Sequence, residues 1–186
     1  MKRIIDLLLA ITILALLAVP MLLIAIAVRL SSKGPSLYWS DRFGKNNKIF
    51  KMPKFRSMVL DTPAVATNLL DNPDVYLSPI GSFLRRSSLD ELPQLFSVLR
   101  GDMSFVGPRP ALFNQEDLIA LRSEKGVDKL LPGITGWAQV NGRDELSIPD
   151  KVALDVQYLN CQCFLFDMKI LLMTILKVIK RDGVRY

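Results

Sequence analysis

The chain has 186 residues, of which 24 are Lys or Arg and 18 are Asp or Glu, giving a net charge of +6. This length suits one domain with an appendage, and the basic balance is compatible with nucleic acid, anionic lipid or phosphate-bearing substrates. The sequence contains no histidine, which excludes Ser-His and Cys-His catalysis and any His-ligated zinc site. Proton transfer or nucleophilic attack must therefore use Asp, Glu, Lys, Tyr, Ser or Cys.

The chain contains two cysteines, Cys161 and Cys163, whose spacing does not match a zinc knuckle. Two cysteines cannot form a disulfide framework, which favours a reducing compartment. We interpret both as packing residues beside the apolar stretch 164–166 rather than as functional residues.

The first element is an uncharged run of 22 residues, Leu7–Val28. As a helix with a rise of about 1.5 Å per residue it would reach about 33 Å, enough to cross a bilayer. Pro20 lies inside the run, where its ring removes one helical hydrogen bond and predicts a kink or break. A cleaved signal peptide is disfavoured, because the run is long and no small-residue cleavage pattern follows it.

Basic residues flank this run on both sides, with Lys2 and Arg3 before it and Arg29 and Lys33 after it. The positive-inside rule then assigns no orientation to a crossing helix, but it is satisfied if both ends stay in the cytoplasm. Two alternatives remain open: a kinked transmembrane helix, and a helix that breaks at Pro20 and turns back out of the bilayer. The second requires internal partners for the freed backbone groups, since lipid offers none.

The stretch 37–58 predicts a small β-hairpin. Apolar residues at 37–39 and at 49–52 flank a turn-rich segment at 44–47, which is the pattern of two strands joined by a turn. The polar stretch 61–80 indicates a loop.

Apolar residues recur at helical spacing in the remaining chain. The predicted elements are helices at 89–99, 114–125, 150–160 and 164–181, with a glycine-rich loop at 131–143. The last helix carries its lysines, Lys169, Lys177 and Lys180, near one face and is otherwise largely filled with Ile and Leu. A basic amphipathic helix of this kind can lie in the membrane interface; the alternative is a core helix with a solvated lysine edge.

Charge is concentrated at the start of the helix predicted at 89–99. Pro93 suits the first turn of a helix, because its missing amide hydrogen is not needed there. Either Asp90 is the N-cap, or Ser88 and Glu91 form a capping box. Both arrangements place the carboxylates at the positive end of the helix dipole, which predicts a lowered pKa and an ionised, nucleophilic Asp90. An Asp at a helix start can equally serve as a cap alone.

Several cationic residues could join these carboxylates. Arg109 stands between Pro108 and Pro110, and this stiff backbone would let its planar fork grip a phosphate with little entropy to lose. Lys54 and the arginine pair at 85–86 supply further positive charge. Two adjacent carboxylates among cations suit phosphoryl chemistry with a divalent metal, one attacking phosphorus and the other holding Mg²⁺.

Four stretches, by their order and length, make the chain resemble the bacterial sugar transferase family, and within it the small monotopic phosphoglycosyl transferases. They are Lys54–Met58, Ser88–Leu95, Gly101–Pro110 and Pro132–Arg143. The resemblance covers nearly the whole chain, from Lys2 to about Gly183.

The resemblance implies an enzyme that moves a sugar 1-phosphate from a UDP-sugar to a polyprenyl phosphate such as undecaprenyl phosphate, releasing UMP. Asp90 would attack the β-phosphate and form a covalent phosphosugar-aspartyl intermediate, which the lipid phosphate then attacks. Glu91 would help to bind Mg²⁺. The implied substrate-binding residues are Lys54, Arg85, Arg109, Arg143 and Asp167.

The resemblance also implies a re-entrant N-terminal helix, which the family breaks at a Ser-Pro pair. Here the pair is Val19-Pro20, so the proline that produces the break is present and the hydroxyl before it is not. The implied location is the cytoplasmic face of the bacterial inner membrane, at the first membrane step of glycoconjugate assembly. The implied partners are the UDP-sugar, the polyprenyl phosphate, the membrane interface and glycosyltransferases.

The resulting prediction is an α+β fold: a mainly helical globular domain with a small β-hairpin and amphipathic interfacial helices. Residues 1–30 form the re-entrant membrane helix and 31–186 the cytoplasmic catalytic domain, with sugar contacts expected from 61–80 and 141–149. A non-catalytic, membrane-docked scaffold is the alternative, and retention of both acidic residues at 90–91 disfavours it. Nucleic-acid binding is disfavoured, because the basic residues lie beside a hydrophobic anchor rather than among exposed aromatics.

Overall fold

The computed structural model describes residues 1–63, 72–142 and 145–180, and within these ranges helices outweigh strands. The helices are α1 (Lys2–Ser31), α2 (Gly81–Arg86), α3 (Gln94–Arg100), α4 (Glu116–Glu124), α5 (Trp137–Val140), α6 (Ile148–Cys161) and α7 (Phe164–Lys180). The strands are β1 (Leu37–Phe43), β2 (Ile49–Phe55), β3 (Ser104–Val106), β4 (Ala111–Leu112) and β5 (Gly133–Thr135). The predicted mainly helical α+β architecture with a small sheet is confirmed.

The predicted hairpin is formed by β1 and β2, which pair antiparallel along their whole length, while β4 adds to the other edge of β1. Asn46 and Asn47 adopt positive φ values of 55° and 56° in the connecting turn, a conformation that asparagine tolerates better than most residues. Lys54 lies directly opposite Tyr38. Because side chains alternate along a strand, Arg42 lies on the same face of the hairpin as these two residues.

The segment 131–143, predicted as a loop, instead contains β5 and the short helix α5. Strand β5 pairs parallel with β3, in the register Ser104 to Gly133 and Val106 to Thr135. A Cβ atom on Gly133 would lie 2.1 Å from the amide nitrogen of Gly107, so glycine is required for this close approach. Two of the glycines that suggested a loop, Gly133 and Gly136, are therefore residues that let two backbones meet.

Helices α4, α6 and α7 lie within one or two residues of the predictions at 114–125, 150–160 and 164–181. Helix α2 was not predicted. The loop predicted at 61–80 contains a 3₁₀ turn at Pro73–Tyr76, and its residues 64–71 lie outside the described part of the chain.

Helix α1 continues through Pro20, so the break expected at this proline does not interrupt the helix. Proline removes one backbone hydrogen bond, and packing on both sides holds the rest of the helix. Ala10, Met21 and Val28 are buried against the globular domain, while most of the remaining surface is apolar and exposed. By length and composition α1 could cross a membrane.

Both ends of α1 are fixed to the same globular body. Near the amino end, Asp6 is buried and accepts hydrogen bonds from Ser104 Oγ at 2.9 Å and from the Phe105 amide at 3.2 Å. Near the carboxyl end, Val28 is buried against Phe55 and Leu84, and Arg56 Nη2 donates to the carbonyl of Ser32 at 2.9 Å. The helix therefore lies along the domain rather than projecting away from it.

Candidate active site

The two adjacent carboxylates lie in a short 3₁₀ turn, Leu89–Glu91, between α2 and α3. Ser88 precedes the turn in a left-handed conformation with φ of 55°, and its side chain makes no cap hydrogen bond. Helix α3 begins only at Gln94, directly after Pro93. The predicted N-cap at Asp90 and the capping box are therefore both wrong, because Pro93 marks the helix boundary and places the acidic residues before it.

Asp90 is buried, with 7% of its surface exposed. Burial raises the pKa of its carboxyl group; the charge of Glu91 raises it further, while Lys54, Arg85 and Arg109 oppose the rise. The predicted lowering of this pKa is wrong, since loss of water outweighs the attraction of the cations. The result is a carboxylate whose negative charge is costly to keep.

Glu91 is held by two cations that arrive from different elements. Lys54 Nζ, presented by β2, lies 2.7 Å from Glu91 Oε1, and both side chains are 16% exposed. Arg109 Nη2 lies 3.7 Å from the same oxygen. The hairpin and the Pro-Arg-Pro segment at 108–110 thus meet at the dyad formed by Asp90 and Glu91, and this contact joins three of the stretches singled out in the sequence.

Arg42 is a fourth cation at this site that motif reasoning did not assign. From β1 its Nη1 donates to the carbonyl of Pro110 at 3.2 Å and its Nε to Ser40 Oγ at 3.0 Å. Burial and the neighbouring charge of Arg109 lower the pKa of Arg42 to about 10, against the raising effects of Glu91 and Tyr38. Two guanidinium groups close enough for one to lower the pKa of the other favour binding of an anion beside them.

Arg85 completes the charge pattern from the last turn of α2. Its Nε donates to Ser57 Oγ at 3.0 Å, and its Nη2 lies 3.0 Å from Met58 Sδ. Among the described residues, four cationic side chains thus act on two carboxylates and leave an excess of two positive charges. The cations are Lys54, Arg42, Arg85 and Arg109.

Asp167 takes part in a different cluster. Its carboxylate pairs with Lys2 Nζ at 2.5 Å and accepts a hydrogen bond from the Tyr158 hydroxyl at 2.6 Å. These contacts tie the start of α1 to α6 and α7, so Asp167 pairs with Lys2 and Tyr158 rather than with Asp90 or Glu91. Arg143 lies outside the described residues, as does position 144 of the segment 141–149.

The carboxylates of the dyad suit a magnesium ion that is shared with substrate. Within the ranges 1–63, 72–142 and 145–180, no group of three or more acidic, cysteine or histidine side chains forms a metal cage. Magnesium commonly binds through one or two carboxylates, with substrate phosphates and water completing its shell. The two adjacent acidic residues fit that mode rather than an all-protein site.

The family model described as bacterial sugar transferase matches residues 1–181. The uncharacterized sugar transferase EpsL of Bacillus subtilis is 41% identical over 187 residues, which cover 100% of this chain and 90% of that protein. The UDP-glucose:undecaprenyl-phosphate glucose-1-phosphate transferase of Escherichia coli is 42% identical over 185 residues, covering 95% of this chain and 40% of that protein. The undecaprenyl-phosphate galactose phosphotransferase of Salmonella typhimurium is 38% identical over 168 residues, covering 81% and 34%.

The chain thus corresponds to nearly all of the first relative but to less than half of the length of the other two. The match with the family model runs through α1, the hairpin, the dyad and the Pro-Arg-Pro segment without leaving out any of them. The resemblance inferred from the motifs is confirmed, and the chain belongs to the bacterial sugar transferase family.

Proposed function

We propose that the protein transfers a sugar 1-phosphate from a UDP-sugar to undecaprenyl phosphate, with Asp90 as the nucleophile. The names of the Escherichia coli and Salmonella relatives support the substrate classes. The observation that carries the proposal is a buried carboxylate, Asp90, beside a second one, Glu91, with four cations acting on one or both of them. An excess of two positive charges matches the two negative charges of a nucleotide-sugar diphosphate.

In the first step, an Asp90 carboxylate oxygen attacks the β-phosphorus of the donor. The bond from this phosphorus to the bridging oxygen breaks, and UMP leaves with the electron pair. The Asp90 carboxyl group loses its charge when its oxygen becomes esterified to phosphorus, which relieves the cost of a buried carboxylate, and the negative charge that remains lies on the non-bridging phosphoryl oxygens. Arg42 and Arg109 hold the phosphoryl oxygens and stabilise the charge that develops on them.

In the second step, a phosphate oxygen of the lipid attacks the same phosphorus. The bond between phosphorus and the Asp90 oxygen breaks, the carboxylate is restored, and the product is a polyprenyl diphosphate sugar. A covalent intermediate lets a water-soluble donor and a membrane-bound acceptor use one site in turn.

Glu91 is the residue that would hold Mg²⁺, together with oxygens of the donor diphosphate. When bound, the metal neutralises charge on the diphosphate and makes UMP a better leaving group. Lys54 keeps Glu91 in place through the contact at 2.7 Å.

We further propose that residues 1–30 form a re-entrant membrane segment that bends at Pro20 without an interruption of its helix, below a catalytic domain at 31–186, on the cytoplasmic face. Both ends of α1 bind the same globular body, which favours this topology over a crossing helix. Helix α7 would lie in the interface, with the buried Ile170 facing the core and Leu165, Leu172 and Ile175 exposed. Basic residues at both ends of α1 agree with the positive-inside rule.

The topology is tested by labelling single cysteines in a variant that lacks Cys161 and Cys163. One cysteine is added before Met1 and another replaces Lys33. Labelling of both from the cytoplasmic side is expected, and labelling from opposite sides would support a crossing helix.

The activity is tested with purified protein, Mg²⁺, undecaprenyl phosphate and a panel of UDP-sugars. The wild type should release UMP from at least one donor and form a lipid-linked product. Asp90→Asn should abolish both, while Asp117→Asn, at an exposed position on α4, should retain both. Full turnover by Asp90→Asn would refute the assignment of Asp90 as the nucleophile. A protein that binds membranes but releases no UMP from any donor would match the non-catalytic scaffold.

A further inference from the structure

The Pro-Arg-Pro segment that carries Arg109 is held by two other arginines through consecutive backbone carbonyls. Arg122, from α4, donates its Nη1 to the carbonyl of Arg109 at 2.7 Å. Arg42 donates to the next carbonyl, that of Pro110, at 3.2 Å. The prolines stiffen this backbone and the two guanidinium groups fix where it lies.

Arg122 is itself fixed by a buried carboxylate on α6. Its Nε and Nη2 lie 2.9 Å and 2.7 Å from Asp155 Oδ2. Arg122 is 9% exposed and Asp155 only 1%. The guanidinium group of Arg122 thus connects helices α4 and α6 to the backbone of Arg109, whose side chain contacts Glu91.

A buried ion pair at this place is not explained by stability alone. Desolvation of two charges commonly cancels their attraction, and an apolar pair of similar volume often stabilises a fold as well or better. Ala111, Leu118 and Val152 form an apolar cluster from β4, α4 and α6, so these elements also meet through apolar packing. What apolar side chains could not supply is a directed donor to the Arg109 carbonyl.

We infer that Arg122 and Asp155 are positioning residues for Arg109, setting the backbone from which its side chain reaches the dyad and the donor phosphates. The inference rests on the proposed function, in which Arg109 stabilises the transferring phosphoryl group. Arg122 acts through Arg109 and has no separate contact with the reacting atoms.

The test uses Arg122→Lys, which retains a cation for Asp155 but loses the planar fork that also spans the carbonyl. We expect kcat/KM to fall by about 10- to 100-fold, as for small displacements of a catalytic group, with the unfolding temperature close to that of the wild type. The matched control is Arg100→Lys. Arg100 also pairs with an aspartate, Asp102 at 3.0 Å, and donates to a carbonyl, that of Lys51 at 3.1 Å, and this variant should keep wild-type kcat/KM.

A double-mutant cycle separates positioning from general support of the fold. If Arg122 acts through Arg109, Arg122→Lys should have little further effect on kcat/KM in an Arg109→Gln background. Equal loss in both backgrounds would overturn the inference and leave the proposed function intact. If Arg109→Gln alone has the same kcat/KM as the wild type, the proposed role of Arg109 is contradicted, and the inference with it.

If Arg122→Lys does not fold, the paired variant Arg122→Gln with Asp155→Asn enters the same cycle. Its two amides can bond to each other without a buried charge, while the donor to the Arg109 carbonyl is lost. Non-additivity with Arg109→Gln supports the inference. Additive loss, or failure of this variant to fold as well, shows that the pair serves the fold and overturns it.

Discussion

Lys54→Met removes a cation that pairs with Glu91 while keeping an unbranched side chain on β2. Lys54 lies on the hairpin face that meets the dyad, and its Nζ is 2.7 Å from Glu91 Oε1. Its charge is also the largest electrostatic influence that lowers the pKa of Asp90. One substitution should therefore change both the rate and its pH dependence.

The separation of 2.7 Å corresponds to a gross attraction of about 6 kcal/mol at an effective dielectric constant of about 20. Desolvation of the two groups offsets most of this attraction, and Arg109 remains 3.7 Å from the same oxygen. The lost transition-state stabilisation should then resemble removal of one oxyanion donor, about 3 kcal/mol or about 100-fold in kcat/KM. Loss of the Lys54 charge also raises the pKa of Asp90 further. In a plot of kcat/KM against pH, the decline on the acidic side, the acidic limb, should therefore move to higher pH.

The assay is UMP release as a function of pH, with unfolding temperature measured in parallel. The control is Lys51→Met, on the same strand, where the lysine side chain is exposed on the other face; this variant should retain the wild-type rate and profile. Lys54→Met with wild-type kcat/KM and an unmoved acidic limb would refute the assignment of Lys54 to the dyad.

Three further predictions concern the dyad and its supports. For the wild type, kcat/KM should decline on acidification, with an apparent pKa above the usual Asp range. The reason is that burial raises the pKa of Asp90 and that attack needs its ionised form. A decline with an apparent pKa at or below the usual Asp range would contradict this. Because the pKa of Asp90 is raised in the folded state, its ionisation lowers the free energy of unfolding as pH rises. Asp90→Asn should therefore unfold at a higher temperature than the wild type at neutral pH. An equal or lower unfolding temperature would argue against a raised pKa of Asp90. Asp6→Ala should lower the free energy of unfolding by about 2–4 kcal/mol in denaturant titrations, because Ser104 Oγ and the Phe105 amide lose their buried acceptor. The control Asp41→Ala, at an exposed position, should leave the free energy of unfolding nearly unchanged. Equal effects of the two substitutions would refute the anchoring role of Asp6.

The elements that the sequence predicts well are those specified by local pattern. The hairpin follows from two apolar runs with a turn between them, and α4, α6 and α7 follow from helical spacing of apolar residues. The parallel pairing of β3 with β5 was missed, because it depends on residues about thirty positions apart and on the fit of Gly133 against Gly107.

At the site, residue types were easier to predict than their local geometry. The association of Asp90 and Glu91 with Lys54 and Arg109 could be expected from the motifs, but the 3₁₀ turn could not. It depends on a left-handed Ser88, which non-glycine residues adopt only rarely. The sign of the pKa shift was missed for a related reason, since burial of a side chain is a tertiary property.

Arg42 shows how a functional candidate can be found from register rather than from a motif. Once the hairpin is paired with Tyr38 opposite Lys54, alternation places Arg42 on the same face. Arg122 and Asp155 offer no comparable signal, because α4 and α6 meet only in the folded chain.

The central claim is that the Asp90 carboxylate becomes bonded to phosphorus during turnover. Intact-protein mass spectrometry, after incubation with a UDP-sugar that supports UMP release and with undecaprenyl phosphate withheld, tests it most directly. We expect a mass increase equal to one sugar phosphate on the wild type, mapped to the peptide that contains Asp90 and absent from Asp90→Asn. Unmodified wild-type protein alongside stoichiometric UMP release, or an adduct on another residue, would contradict the account.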